Sequence, residues 1–245
     1  MSVLPEANRN VAYPLRFSDG ARAAVYDAIF ARRDVRAEFL SEPIPDELLL
    51  RLLDAAHHAG SVGFMQPWNF YVVRDAGLRR RVFDVFEEEN RRASERFSGE
   101  RGDLYRRLKL QGILETPINL CVTCDRERHG PVQIGRNTMR ETDLYSTCCA
   151  IQNFWLAARV EGIGVGWVSI LDPARVLEIL SIPVEQQVVA YLCVGWVRSF
   201  AAEPDLQRAG WLPRLPLEQV VFECAAGAKP RQGLLTTSPE MQDRS

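Results

Sequence analysis

Three guanidinium groups surround one carboxylate in the segment Ala31-Arg32-Arg33-Asp34-Val35-Arg36. Arginine stays charged at any physiological pH, and its planar fork matches phosphate oxygens and polar ring edges. The spacing therefore reads as an anion-binding corner. An anion site has no use for a carboxylate, so Asp34 is either the salt-bridge partner of Arg33 or Arg36 or a participant in proton chemistry. Two more segments carry polar groups on flexible backbone. Gly60-Ser61-Val62-Gly63-Phe64-Met65-Gln66-Pro67-Trp68-Asn69-Phe70 mixes glycines, a small hydroxyl, amides and a Pro-Trp pair. That is the make-up of a loop reading the edge of a planar heterocycle, or of a well-packed surface turn. Gly162-Ile163-Gly164-Val165-Gly166-Trp167-Val168-Ser169 has glycines at alternate positions. It follows a helix and opens a strand, the reverse of a dinucleotide fingerprint. Its backbone could approach a ligand closely, or it could simply stop a helix and start a buried strand.

Other chemistries find less support. Cys121 and Cys124 have a redox or zinc spacing, but they fall in a predicted strand, where positions i and i+3 face opposite sides. His57, His58 and His129 form no ligand pattern, so no metal is expected. Cys148 and Cys149 suit helix packing. Neither a Gly-Lys-Ser/Thr phosphate loop nor a Gly-x-Ser-x-Gly elbow occurs.

The elements that must position these segments follow from periodicity and punctuation. Residues 1–17 read as an extended arm. Ser18 caps a helix running to about Arg32, with Ala24, Val25, Ala28 and Ile29 on one face. After Pro43-Ile44-Pro45-Asp46, a helix over Glu47–Ala59 buries Leu48, Leu49, Leu52, Leu53 and Ala56. Asn69–Val73 is a short strand and Ala76–Phe97 a charged helix. Ser98–Leu114 is a basic loop or lid plus a helix. Pro117–Cys124 is an apolar strand. Glu141–Glu161 is a long helix with Leu144, Cys148, Ile151, Trp155 and Ala158 at helical spacing, ended by Gly162. Val165–Ile170 and Gln187–Val197 are strands, and a Pro-rich tail follows Ser199. Helices and strands mix without βαβ alternation, so the expected fold class is α+β: one mostly antiparallel sheet surrounded by helices, in a single domain over 1–245 with its core at about 17–223.

The 245 residues, 47% hydrophobic and 25% charged with a formal net charge of -2, describe an ordinary globular protein. A near-neutral balance argues against general nucleic-acid binding. No apolar run approaches the roughly 20 residues of a membrane span. Met1–Asn10 lacks the apolar core of a signal peptide, so the expected location is cytoplasmic, with thiols reduced.

Taken in order, the three polar segments resemble the flavin-dependent nitroreductase superfamily: an Arg-Arg-Ser-x-Arg corner, a Ser-x-x-x-x-Gln-Pro-Trp-like loop and a Gly-x-Gly-x segment opening a late strand. The resemblance is closer to one branch, the aerobic 5,6-dimethylbenzimidazole synthases. It also rests on Phe97-Ser98-Gly99-Glu100-Arg101, Cys121-Val122-Thr123-Cys124-Asp125-Arg126 and Asp143-Leu144-Tyr145-Ser146-Thr147, and runs from about Phe17 to Glu223. It implies a nitroreductase-like homodimer with extended arms and FMN at the subunit interface. Arg32, Arg33, Asp34, Val35 and Arg36 would meet the FMN phosphate and ring edge. Ser61, Gly63 and Gln66 would come from the partner subunit. Gly166 to Ser169 would line the ring, and Leu110 and Arg208 would add contacts. The implied reaction uses molecular oxygen to fragment reduced FMN, as a substrate, into 5,6-dimethylbenzimidazole and erythrose 4-phosphate. Asp34 stands where ordinary nitroreductases have Ser, and becomes the catalytic acid or base; Ser169 resembles the second catalytic residue, a hydroxyl bonding the flavin. Two alternatives remain: an NAD(P)H-dependent nitro or flavin reductase, and a non-catalytic flavin-binding protein. A separate flavin reductase could deliver the reduced FMN, with NAD(P)H its indirect source. Neither a nucleic-acid nor a membrane partner is expected.

Overall fold

A computed structural model describes residues 15–224 together with 226, 229, 231 and 232; the expected arm over 1–17 thus lies outside the described residues except at 15–17. The chain divides into two compact units between Ala202 and Glu203.

In the first unit, β1 (Trp68–Val73), β2 (Ile118–Cys124), β3 (Ile163–Val168) and β4 (Gln187–Trp196) form one sheet in the order β1-β2-β4-β3. Every pairing is antiparallel, as expected. Side chains alternate across each strand, and the sheet buries both faces. Ile118, Leu120, Val122, Val165, Ala190, Leu192 and Val194 face a core shared with α2 (Asp46–His57) and α5 (Thr142–Val160). Cys121, Val168, Tyr191 and Cys193 face a second core with α3 (Ala76–Ser94) and α6 (Pro173–Leu180). All of β2 is buried, because it is central and covered on both sides. Cys121 and Cys124 are free; burial pushes their thiols up to about 12 and about 11, which makes them inert packing groups rather than a redox pair.

α1 (Asp19–Ala31) starts where expected, with Ser18 Oγ accepting the Ala21 N–H at 3.3 Å. None of its residues is buried, and Val25, Tyr26 and Phe30 stand in the open. α4 (Gly99–Arg107) supplies the helix of the basic stretch. Three expectations need correction. The strand expected over Val165–Ile170 runs over Ile163–Val168, so Ser169 falls outside it. α6 was not anticipated, although Asp172 caps it by accepting the Ala174 N–H at 2.9 Å and Pro173 occupies its first turn. In the first half of α5 the buried side is polar: Thr142, Asp143, Ser146 and Thr147 point inward, leaving Leu144 half-buried and Cys148 and Cys149 exposed. The reason is an ion pair, described below, that takes Asp143 into the interior.

The second unit contains a short helix, α7 (Asp205–Arg208), a 3-10 turn at Leu217–Gln219, and the two-residue strands β5 (Phe222–Glu223) and β6 (Arg231–Gln232), paired antiparallel. Arg208 pairs with Asp205 at 2.7 Å within α7. Among the described residues, no helix is long and apolar enough to cross a membrane.

Candidate active site

The Arg32–Arg36 corner leaves α1 in extended conformation and lies along β3, the edge of the sheet. Asp34 forms a parallel bridge with Val165, and the Val35 N–H donates to the Val165 carbonyl at 3.0 Å. The approach is close enough to require glycine on the strand. A Cβ on Gly166 would sit 2.0 Å from the Val35 carbonyl oxygen, and one on Gly164 would sit 2.3 Å from a Val197 methyl. Gly166 thus admits the corner itself, and Gly164 chiefly admits Val197. Gly166→Ala is expected to push residues 34–36 off the strand, costing about 1–3 kcal/mol. A lowered unfolding midpoint together with weakened flavin binding checks it.

This contact fixes Asp34. Its Oδ1 accepts the Trp167 backbone N–H at 3.0 Å, while its Oδ2 accepts Nε of Arg36 at 3.0 Å and also the Arg36 Nη2. The pair is part-buried, with Asp34 about a third exposed at 32%. The Arg36 Nη1 reaches the Leu110 carbonyl at 3.4 Å, joining Leu110 to the corner. Leu110 lies in the loop between α4 and β2, which is tied to the sheet by a buried polar set: Asn119 Nδ2 donates to the Ile113 carbonyl at 3.1 Å and to the Tyr191 hydroxyl at 3.0 Å, and Thr116 Oγ1 donates to Asn119 Oδ1 at 2.7 Å.

The other arginines divide the work. Arg32 lies over the Trp155 ring, 4.7 Å from its centroid. Arg33 turns its fork to backbone carbonyls: Nη1 donates to those of Phe30 and Arg32 at 2.6 and 2.8 Å, Nη2 donates to that of Ala202, and Nε is buried without a hydrogen-bond partner among the described residues. Ser169 is exposed, two residues beyond Trp167.

Ser61, Gly63 and Gln66 come together elsewhere. Left-handed backbone occurs at Gly63, Phe64 and Gln66, with φ of 60°, 56° and 46°. Such angles are costly for residues with a Cβ and persist only where the surroundings over-determine them. Ser61 Oγ accepts the Gln66 N–H at 3.2 Å, the Gln66 amide nitrogen donates to the Phe64 carbonyl at 3.0 Å, and Ile134 walls off Gly63, whose added Cβ would lie 2.7 Å from the Ile134 carbonyl. The Val62 N–H donates to Ser146 Oγ at 3.1 Å, near the start of α5, whereas Trp155, near its end, donates from Nε1 to the Arg33 carbonyl at 3.1 Å. Nine residues of helix separate those two stations, about 13 Å along the axis.

Sequence reasoning missed the groups that hold this loop. Arg136 forms a bidentate pair with Asp143, Nε to Oδ2 at 3.0 Å and Nη2 to Oδ1 at 3.1 Å, and Asp143 is fully buried. The available signal was an acid one turn before Thr147 and two before Ala150 on the inward stripe of α5. Arg128, in the loop after β2, left no local pattern at all.

Residues 29–196 match the model of the nitroreductase family. The chain belongs to the nitroreductase family. Among its nitroreductase relatives, the 5,6-dimethylbenzimidazole synthase of Rhodospirillum rubrum is 47% identical over 191 residues, covering 78% of this chain and 90% of that protein. The protein of the same name from Rhodobacter capsulatus is 37% identical over 204 residues, covering 83% and 98%. The crystal structure of oxidised iodotyrosine deiodinase bound to FMN and 3-iodo-L-tyrosine has the same fold, with a TM-score of 0.63 at 23% identity over 79% of this chain and 96% of that one.

Proposed function

We propose that this chain is a 5,6-dimethylbenzimidazole synthase, using molecular oxygen to fragment reduced FMN to 5,6-dimethylbenzimidazole and erythrose 4-phosphate. The observation that carries the proposal is the 47% identity to a synthase of that name over 191 residues. The donor set suits the substrate. Three arginines against one aspartate leave the corner with an excess positive charge, as a flavin phosphate requires. Arg32 and Arg36 would face the phosphate and ring edge, Arg33 would contribute charge while strapping the corner to carbonyls, and Leu110 and Gly166 to Ser169 would border the ring. When bound, reduced FMN supplies the electrons for oxygen and the ring that becomes the benzimidazole.

The chain's own contribution centres on Asp34. Its Oδ2 is held by two donors of Arg36, whereas among the described residues Oδ1 accepts the Trp167 N–H alone and so keeps a lone pair. Proton exchange is therefore assigned to Oδ1. Ser169, exposed just past β3, would donate its hydroxyl to the flavin. Ser169→Ala is expected to slow or misdirect the oxidation, seen as a lower ratio of benzimidazole to reoxidised FMN in a single turnover.

The proposed assembly is a cytoplasmic homodimer. One chain holds the corner and the 61–66 loop at opposite ends of α5, so the partner's copy of the loop would complete each flavin site. The open apolar residues of α1 and of the loop region, Phe64 and Ile134 among them, suit that contact. A separate flavin reductase would supply reduced FMN, with NAD(P)H as its indirect source. Following flavin absorbance after adding reduced FMN and air tests the proposal: irreversible loss of the flavin chromophore is expected, and quantitative return of oxidised FMN would sink it.

A further inference from the structure

We propose that Arg128 is a positioning residue that holds the flavin-facing loop 61–67 in its left-handed shape. The inference rests on the reading that this loop contacts FMN, and adds to it a residue from outside the corner, the loop and β3.

Two residues with side chains, Phe64 and Gln66, adopt positive φ within three positions, so something must hold them there. Arg128 grips the backbone immediately after that turn. Its Nη1 donates to the Gln66 carbonyl at 2.6 Å and to the Trp68 carbonyl at 3.1 Å, and its Nη2 donates to the Asn69 side-chain oxygen. Charged donors of this kind are about twice as strong as neutral ones. With the Gln66 N–H held by Ser61 Oγ, both backbone polar groups of Gln66 are fixed, and its peptide planes cannot rotate toward the ordinary helical or extended regions. The Asp125 N–H donates to the Pro67 carbonyl at 2.7 Å, clamping the same turn from the other side.

Arg128 is itself anchored. Its carbonyl accepts Nη1 and Nη2 of Arg136, both at 3.3 Å, and Arg136 is locked to the fully buried Asp143 of α5. A continuous set of contacts therefore runs from the interior of α5 through two arginines to the Gln66 carbonyl. The Arg128 guanidinium also forms an ion pair with Asp125, Nε to Oδ2 at 3.7 Å, while its hydrogen bonds go to two carbonyls and a side-chain amide oxygen of the 66–69 turn, the pattern of a group that sets a shape.

The test uses Arg128→Met, which keeps the length of the side chain and removes its donors, and Arg128→Lys, which can satisfy one carbonyl but not three acceptors. Hydrogen–deuterium exchange on the flavin-free protein reads the loop directly. Backbone amides in peptides covering 61–69 are expected to exchange about tenfold faster or more in Arg128→Met, with α2 and α5 unchanged. Oxidised FMN is then titrated well below the unfolding midpoint. Arg128→Met is expected to weaken FMN binding about tenfold or more and Arg128→Lys by less, and KM for reduced FMN should rise with little change in kcat, because the hydrogen bonds that hold Asp34, to Trp167 and Arg36, do not involve Arg128. A merely structural role would instead lower the amount of active protein, and so apparent kcat, with FMN affinity intact; that result overturns the inference, as does wild-type exchange in the loop. Failure of the wild-type protein itself to bind FMN would remove the flavin reading, and this inference with it, and is told apart by the wild-type titration alone.

Discussion

Asp34→Asn is expected to bind FMN about as well as the wild-type protein and to form 5,6-dimethylbenzimidazole at least about a hundredfold more slowly. Binding should survive because the substitution removes a negative charge from an arginine-rich corner and leaves the main-chain contact of Val35 with Val165 in place. Chemistry should fail because the amide can neither give up nor accept a proton at the position of Oδ1. The geometry adds a second cost. Asparagine offers one acceptor oxygen to two sets of donors, the Trp167 N–H on one side and Arg36 on the other, so its amide nitrogen must meet one of them. A modest fall in stability, about 1–3 kcal/mol, should accompany the loss of product. Equilibrium FMN titration and single-turnover product analysis separate these effects. Normal product formation in the variant would remove Asp34 from the mechanism.

Arg136→Met is expected to give the largest loss of stability. It strands the Asp143 carboxylate, fully buried, without its bidentate partner, and breaking a buried pair from one side costs about 3–5 kcal/mol. For a domain of this size the unfolding midpoint should fall on the order of 10 °C. The double variant Arg136→Met/Asp143→Leu should recover part of that loss, because the stranded charge is gone. A thermal unfolding series over the wild type, the single variant and the double variant checks it; a single variant within a degree of the wild type would mean that the pair holds no part of the fold.

The parts of this molecule that the sequence made legible are those governed by local pattern. Ser18 caps α1, Leu48, Leu49, Leu52 and Ala56 face inward from α2, and the apolar run at 118–124 is the central strand. The corner, the loop and the glycine segment were recognisable because arginine forks, positive-φ turns and close backbone approach each demand particular residues. What remained hidden depends on partners distant in sequence. The alternate glycines looked like a cradle for a ligand, yet the atom packed closest to Gly166 is the carbonyl of Val35, some 130 positions earlier. Arg33 looked like a phosphate grip, yet its fork meets the Ala202 carbonyl. Ile151, Trp155 and Ala158 of the expected α5 stripe are buried, but its first half was misplaced because Asp143 is buried against an arginine from the preceding loop, and polar burial of that kind overrides hydrophobic periodicity.

The chain is proposed to consume FMN rather than recycle it, and one measurement addresses that most directly. Chemically reduced FMN is mixed with a stoichiometric amount of the protein and exposed to air, and the products are identified by mass spectrometry. Formation of 5,6-dimethylbenzimidazole and erythrose 4-phosphate in step with the loss of flavin is the predicted result. Recovery of the flavin as intact FMN, with no benzimidazole formed, would contradict it.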